Sequence, residues 1–310
     1  MTIDHEATLS DTDIAGCADQ LGRKTIRTAA GRTLSYIDAG SGPDVILLHG
    51  TLTTLDDMRL SVFDDLSRDF HVVALDRPSH GASDRVPGTD ASLWSQAAIV
   101  HDAAEALGLE RPIVCGHSYG AAVALAYGMA FPDGSSGVVA LAPICFPEPR
   151  LEHVLFGPRA LPPPSGALAR IFGDTIDTMV LPLLWRAMFL PQQMPAHFAA
   201  EFPFGLAGDT AQVNAEGEGA NALWLDLARS VAGYAGCRVP VRFIVGMADL
   251  VVNPFLQSAL ASTLIPGARV DLLPGVGHML HHARPDAVVD AIRAIAAGRA
   301  DIGGDAKGHA

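Results

Sequence analysis

Five residues, Gly116-His117-Ser118-Tyr119-Gly120, constrain this chain more than any other stretch. They follow an apolar run at 112–115 and open a small-residue stretch at 121–130, so they read as a strand, a sharp turn and a helix. A turn of that kind exposes a serine hydroxyl at the end of a sheet. Glycine at both ends lets the strand and helix backbones approach closely while the serine takes a strained conformation. A G-x-S-x-G pattern alone also arises by chance, so its meaning rests on the rest of the chain.

The rest of the chain alternates strand with helix. Two β-prone runs between residues 24 and 38 flank Ala29-Ala30-Gly31-Arg32 and read as a hairpin. The continuous apolar run at 45–48 is of the kind buried in a parallel sheet. A helical face follows, with Met58, Val62, Phe63 and Leu66, and then a strand at 71–75. Leu93, Ala97, Val100 and Leu107 mark the next helix, closed by Gly108. Strands at 113–115 and 137–141 enclose the serine turn and its helix. Between about 147 and 236 the pattern changes to prolines, including Pro162-Pro163-Pro164, and helix-like pieces with no strand-like run. Strands resume at 241–245 and 268–273, and a helix at 285–297 closes the chain. This predicts an α/β fold: an eight-stranded, mostly parallel sheet with helices on both faces and a helical cap inserted after the sixth strand. The expected division is a core at 23–146 and 237–298, a cap at 147–236, a disordered segment at 1–22 and a flexible tail at 299–310.

Composition narrows the function. The 310 residues are 49% apolar, enough for a sizeable core, and the mean hydropathy is +0.26. A formal net charge of −13 argues against nucleic acid or an anionic membrane as partner. No apolar run reaches the roughly 18 residues a membrane span needs, and the acidic start of the chain is unlike a signal peptide, so a cytoplasmic location is expected. Cys17, Cys115, Cys145 and Cys237 are scattered without C-x-x-C spacing, as neither a zinc site nor a disulfide framework would be. Cys115 reads as apolar filler.

A serine hydroxyl needs a base, and the base needs a group to orient it. Among twelve histidines, His278 in Gly275-Val276-Gly277-His278 lies in a loop between the last strand and the last helix, where it can reach over the sheet edge. His281 and His282 sit nearer the helix and are expected to be solvated or capping. Asp249, just past the strand at 241–245, precedes His278 and is the orienting acid, with Glu148 in reserve. Attack on a carbonyl also calls for two backbone N–H donors. Tyr119, at the start of a helix, supplies one. The other is assigned to Thr51 in His49-Gly50-Thr51-Leu52, with Leu52, one residue on, as the fallback.

Taken together, His49-Gly50, the Asp76-Arg77-Pro78-Ser79-His80-Gly81-Ala82-Ser83 segment, the turn at 116–120 and Gly246-Met247-Ala248-Asp249 followed by Gly277-His278 resemble the α/β-hydrolase superfamily over residues 24–297. The resemblance implies a Ser118–Asp249–His278 mechanism, with His49, His80 and the 76–83 loop as structural supports. Family members similar to haloalkane dehalogenases and epoxide hydrolases carry aspartate where this chain has Ser118. The expected activity is hydrolysis of a small to medium carboxylic ester with an apolar part, needing no cofactor or metal. Carbon–carbon bond hydrolysis, lactone opening, perhydrolysis and acyl transfer would use the same three residues. A ligand-binding protein with the same fold and little turnover is the reading from another class, against which all three positions are filled. Leu52, Trp185, Met188, Phe189 and Trp224 are the expected pocket residues. The cap's evident cations are Arg150, Arg159, Arg170, Arg186 and Arg229.

Overall fold

The computed structural model describes residues 22–161 and 165–305, with side chains over 22–161 and 177–298. Residues 1–21 of the expected disordered segment at 1–22, with Cys17, and Pro162-Pro163-Pro164 lie outside the described residues, as does the Arg170 side chain. Eight strands form one sheet: β1 Lys24–Arg27, β2 Thr33–Ala39, β3 Asp44–Leu48, β4 His71–Leu75, β5 Ile113–His117, β6 Gly137–Leu141, β7 Val241–Gly246 and β8 Arg269–Leu273. Their spatial order is β1-β2-β4-β3-β5-β6-β7-β8. The β1–β2 and β2–β4 pairs are antiparallel and every other pair is parallel.

Successive residues of a strand point to opposite faces, and β3 shows what that does here. Ile46 and Leu48 pack with the helices α2 (Leu93–Ala106) and α3 (Tyr119–Ala130) on one face. Val45 and Leu47 pack on the other face with α1, which runs Leu55–Met58, a π turn Arg59–Phe63 and Asp64–Leu66, and with the last helix. With both faces covered, an interior strand has no reason to alternate with polar residues, which explains the unbroken apolar run. Ser92 caps α2 by accepting the Trp94 N–H at 3.2 Å, and Gly108 leaves that helix at φ +71°. Cys115 is fully buried and free in the sheet.

The cap follows β6, with α4 Leu151–Leu155, α5 Ser165–Met188, α6 Ala196–Glu201, α7 Phe204–Ala207 and α8 Thr210–Gly233. Its own core joins Phe156, Trp185, Phe189, Phe198 and Phe202 to Leu52 and Met279, which come from loops at the sheet edge. The chain then adds α9 Leu260–Leu264, α10 Leu280–Ala283 and α11 Pro285–Asp305. The backbone of α11 is helical into the segment expected as a flexible tail from 299. Among the described residues, no helix is long and apolar enough to cross a membrane.

Candidate active site

The carboxyl ends of β3, β5, β6, β7 and β8 lie side by side, the usual place for a site in an open parallel sheet. Ser118 stands between β5 and α3 at φ +52° and ψ −114°, a conformation that L residues hold only under constraint. The constraint is close backbone contact. A Cβ on Gly116 would lie 2.2 Å from Gly120 O, and one on Gly120 would lie 2.3 Å from His49 O. The Ser118 N–H donates to Leu141 O at 2.8 Å, which ties the turn to β6.

Asp249 and His278 arrive on the turns after β7 and β8. These loops touch: a Cβ on Gly246 would meet Val276 O at 2.2 Å. His278 Nδ1–H donates to Asp249 Oδ2 at 2.8 Å, and Asp249 Oδ1 accepts the N–H groups of Val251 (2.7 Å) and Val252 (2.9 Å). With Nδ1 carrying the proton, Nε2 of a neutral His278 is the lone-pair nitrogen. Glu148, the reserve acid, instead accepts from Arg150 at 2.9 Å.

The loop after β3 turns sharply at Leu52, where φ is +57°. The Leu52 N–H donates to Glu216 Oε1 of α8 at 2.7 Å, and Leu52 O accepts the Trp185 indole N–H at 2.8 Å. That leaves the neighbouring Thr51 N–H, which, like the Tyr119 N–H, has no acceptor among the described residues. His49 and Arg77 brace the loop from behind. Arg77 N–H donates to His49 Nε2 (3.0 Å), and its guanidinium donates to His49 O (2.9 Å) and Gly50 O (3.1 Å). Burial, with Arg77 adding to it, holds the His49 ring well below its usual pKa, so it stays neutral.

Beneath Ser118 the structure corrects the expectation that His281 and His282 are solvated or capping. Both side chains are buried, and their Nε2–H groups donate to Asp57 Oδ1 at 3.0 and 2.8 Å. Burial alone would raise the Asp57 carboxyl, but these two rings hold it well below the usual carboxylate range. His117 Nε2–H donates to His278 O at 3.1 Å, linking the residue before the serine to the backbone of the histidine. Asp57, His117 and His281 are the described residues nearest to a metal-ligand set, with one ligand atom from each lying within 4.8 Å of the others. Asp57 Oδ1 accepts the two histidine N–H groups there, while Asp57 Oδ2 and His117 Nδ1, 3.8 Å apart, have no hydrogen-bond partner among the described residues. Sequence reasoning missed Asp57 and Glu216, because a carboxylate inside a helix reads as a solvated face.

Ser118 and His278 open on a cavity of about 470 Å³ between sheet edge and cap. Thr51 and Leu52 line its floor, and Leu155, Phe156, Leu184 and Met188 are among its apolar walls. Of the five expected liners, Leu52 and Met188 are among the residues that line this cavity, and Trp185, Phe189 and Trp224 are not. Trp185 packs beneath the wall against Phe204, Phe189 packs against Phe198 and His282, and Trp224 is half-exposed beside His153. Periodicity marks which residues lie on an apolar face but not whether that face meets a cavity or another helix. Arg150 lines the cavity with its guanidinium between Glu148 (2.9 Å) and Glu152 (3.0 Å).

The model of the alpha/beta hydrolase family matches residues 45–291. The chain belongs to the alpha/beta hydrolase family. An uncharacterized protein of Mycobacterium tuberculosis is 28% identical to this hydrolase over 286 residues, covering 86% of this chain and 79% of that one. Haloalkane dehalogenase 2 of the same organism is 25% identical over 272 residues, covering 84% and 90%. Among solved structures, an esterase from Exiguobacterium antarcticum superposes with a TM-score of 0.71 at 18% identity, covering 87% of this chain and 98% of that one, a likeness of fold.

Proposed function

We propose that this hydrolase cleaves a small to medium carboxylic ester with an apolar acyl or alcohol part, through an acyl-enzyme on Ser118. The observation that carries the reading is the strained Ser118 facing the same apolar cavity as a His278 whose other nitrogen is held by Asp249. His278 Nε2 takes the Ser118 proton as Oγ attacks the carbonyl carbon, then delivers it to the leaving alcohol. Water, activated by the same nitrogen, releases the acid and restores Ser118. Asp249, bonded to Nδ1–H, steadies the imidazolium that forms. The N–H groups of Thr51 and Tyr119 hold the developing oxyanion; Leu52, the alternative donor, is already engaged by Glu216.

Charge in the cavity favours a neutral substrate. Among the described lining residues Arg150 is the one cation, and two carboxylates hold it, so an anionic dienoate of the kind carbon–carbon hydrolases cleave finds no free partner among them. Dehalogenation needs a carboxylate nucleophile to form an alkyl ester, and Ser118 supplies a hydroxyl.

Initial rates on p-nitrophenyl esters from acetate to decanoate test the reading, with Ser118→Ala, His278→Ala and Asp249→Asn beside the native protein. One chain-length optimum, with a loss of about 10³-fold or more in each variant, is expected. A folded native protein that neither turns over esters nor is labelled by a fluorophosphonate would refute it and favour a binding role.

A further inference from the structure

Leu52 is gripped at both ends of its backbone by side chains of the cap. Its N–H donates to Glu216 of α8, its carbonyl accepts from Trp185 of α5, and the next carbonyl, Thr53 O, accepts from Gln212 of α8 at 3.2 Å. Three bonds from a separate part of the chain therefore hold a left-handed residue directly after Thr51. Glu216 is fully buried, which is expensive for a carboxylate without compensating partners. Its partners besides Leu52 are His80 Nε2 at 3.2 Å and Arg77 at 3.8 Å, and Arg77 is the residue that braces His49 O and Gly50 O and lies over the Tyr119 ring.

The helix that carries Glu216 is packed closely against both cap and core. A Cβ on Gly217 would lie 2.3 Å from Phe156 O of the cap, and one on Gly219 would lie 3.0 Å from the Tyr119 hydroxyl of the core. Glu218 accepts from Arg85 and Gly88 N, and Asp226 accepts from Ser92 and Leu93 N. Glu216 thus stands on a fixed element.

We infer that Glu216 and Trp185 are positioning residues that set the oxyanion loop, so that the cap, besides shaping the pocket, completes the catalytic geometry. The inference rests on the esterase reading above. Neither residue touches the reacting atoms. The Thr51 N–H shares a peptide plane with Gly50 O, which Arg77 holds beside Glu216, and the Leu52 bonds fix the next two peptides, so the Thr51 N–H is aimed at the site before substrate arrives, as electrostatic stabilisation of an oxyanion requires. A loop released from this grip would lose its hold on Leu52 and, through Arg77, on the peptide that carries the Thr51 N–H.

Three variants test it. Glu216→Ala removes the acceptor, Glu216→Gln keeps an acceptor but not the charge, and Trp185→Phe removes only the indole donor. Circular dichroism checks folding. The expected result is a fall in kcat of about 10²-fold for Glu216→Ala, partial rescue in Glu216→Gln and about 10-fold for Trp185→Phe, each with KM within about threefold of native. A filler role would instead move KM or stability. Hydrogen exchange at Leu52 supplies a readout independent of turnover: slow in the native protein, at least about tenfold faster in Glu216→Ala. If Glu216→Ala does not fold, Trp185→Phe decides. An active native enzyme whose Trp185→Phe and Glu216→Ala forms keep kcat within threefold overturns the inference and leaves the esterase reading standing. An inert native protein that shows the exchange pattern refutes esterase activity and supports the grip. An inert native protein whose Leu52 amide exchanges freely overturns both.

Discussion

Replacing Ser118 by glycine is expected to stabilise the protein while abolishing its activity. Ser118 sits at φ +52° and ψ −114°, and a non-glycine residue in such a sparsely populated region costs of the order of 1–3 kcal/mol. The hydroxyl returns nothing to stability, since no hydrogen bond joins it to another described side chain or carbonyl. The proper reference is Ser118→Ala, which removes the hydroxyl and keeps the Cβ and the strain. Alanine to glycine ordinarily destabilises by roughly 0.4–1 kcal/mol through the entropy of the unfolded chain. Subtracting that from the relieved strain leaves a net gain of about 0.5–2 kcal/mol for glycine over alanine. With an unfolding entropy of about 2.1 cal/mol/K per residue over 310 residues, each kcal/mol moves the melting temperature by about 1.5 °C, so Ser118→Gly should melt roughly 1–3 °C above Ser118→Ala. Thermal melts by circular dichroism on both variants, with urea midpoints as a second measure, read this directly. A Ser118→Gly protein that melts below Ser118→Ala would show that the turn stores no strain at this position.

Gly120→Ala should destabilise by about 3 kcal/mol or more or prevent folding, because the new Cβ falls 2.3 Å from His49 O and 2.5 Å from Leu48 O, both backbone atoms that cannot swing aside. Gly205→Ala, in helix α7 with nothing within 4 Å, should instead gain about 0.5–1 kcal/mol; urea midpoints compare the two. His49, His117 and His282 are buried and held neutral below their usual pKa, so the unfolded chain takes up protons near pH 6.5 that the native state refuses. Their stabilising contribution is complete above about pH 6.5 and is lost as the pH falls, with a slope of up to about 4 kcal/mol per pH unit for three groups; a flat urea midpoint between pH 7 and 5 would contradict it. Met188→Ala should shift the preferred ester to a longer chain by opening the cavity wall, whereas Trp224→Ala, outside the cavity, should leave the chain-length profile unchanged.

The fold was legible because its signals are local. The apolar run of β3, the Gly108 helix end and the change of pattern after Cys145 each follow from neighbours within a few residues, and all recur in the structure at or near the expected positions. Ser118, Asp249 and His278 could be chosen because each follows a strand that the chain itself marks. Trp185, Phe189 and Trp224 were misplaced as pocket residues for the opposite reason. An aromatic residue on a helix satisfies the same period whether it faces a cavity, its own domain or solvent, and only the packing of five cap helices sorts Met188 to the wall and Trp185 beneath it.

By itself the sequence determined the order of strands and helices, the glycines that permit the serine turn, and the type of chemistry open to Ser118. Those properties depend on backbone geometry and hydrophobic period, which act over short stretches of chain. The tertiary structure alone showed that the Leu52 N–H is taken up by Glu216, 164 residues further on. It also decided that Asp57 gathers His281 and His282 beneath Ser118 across more than 200 residues. Burying a charge is tolerable only where partners converge on it, and convergence of distant side chains is a property of the folded chain, invisible in the order of its residues.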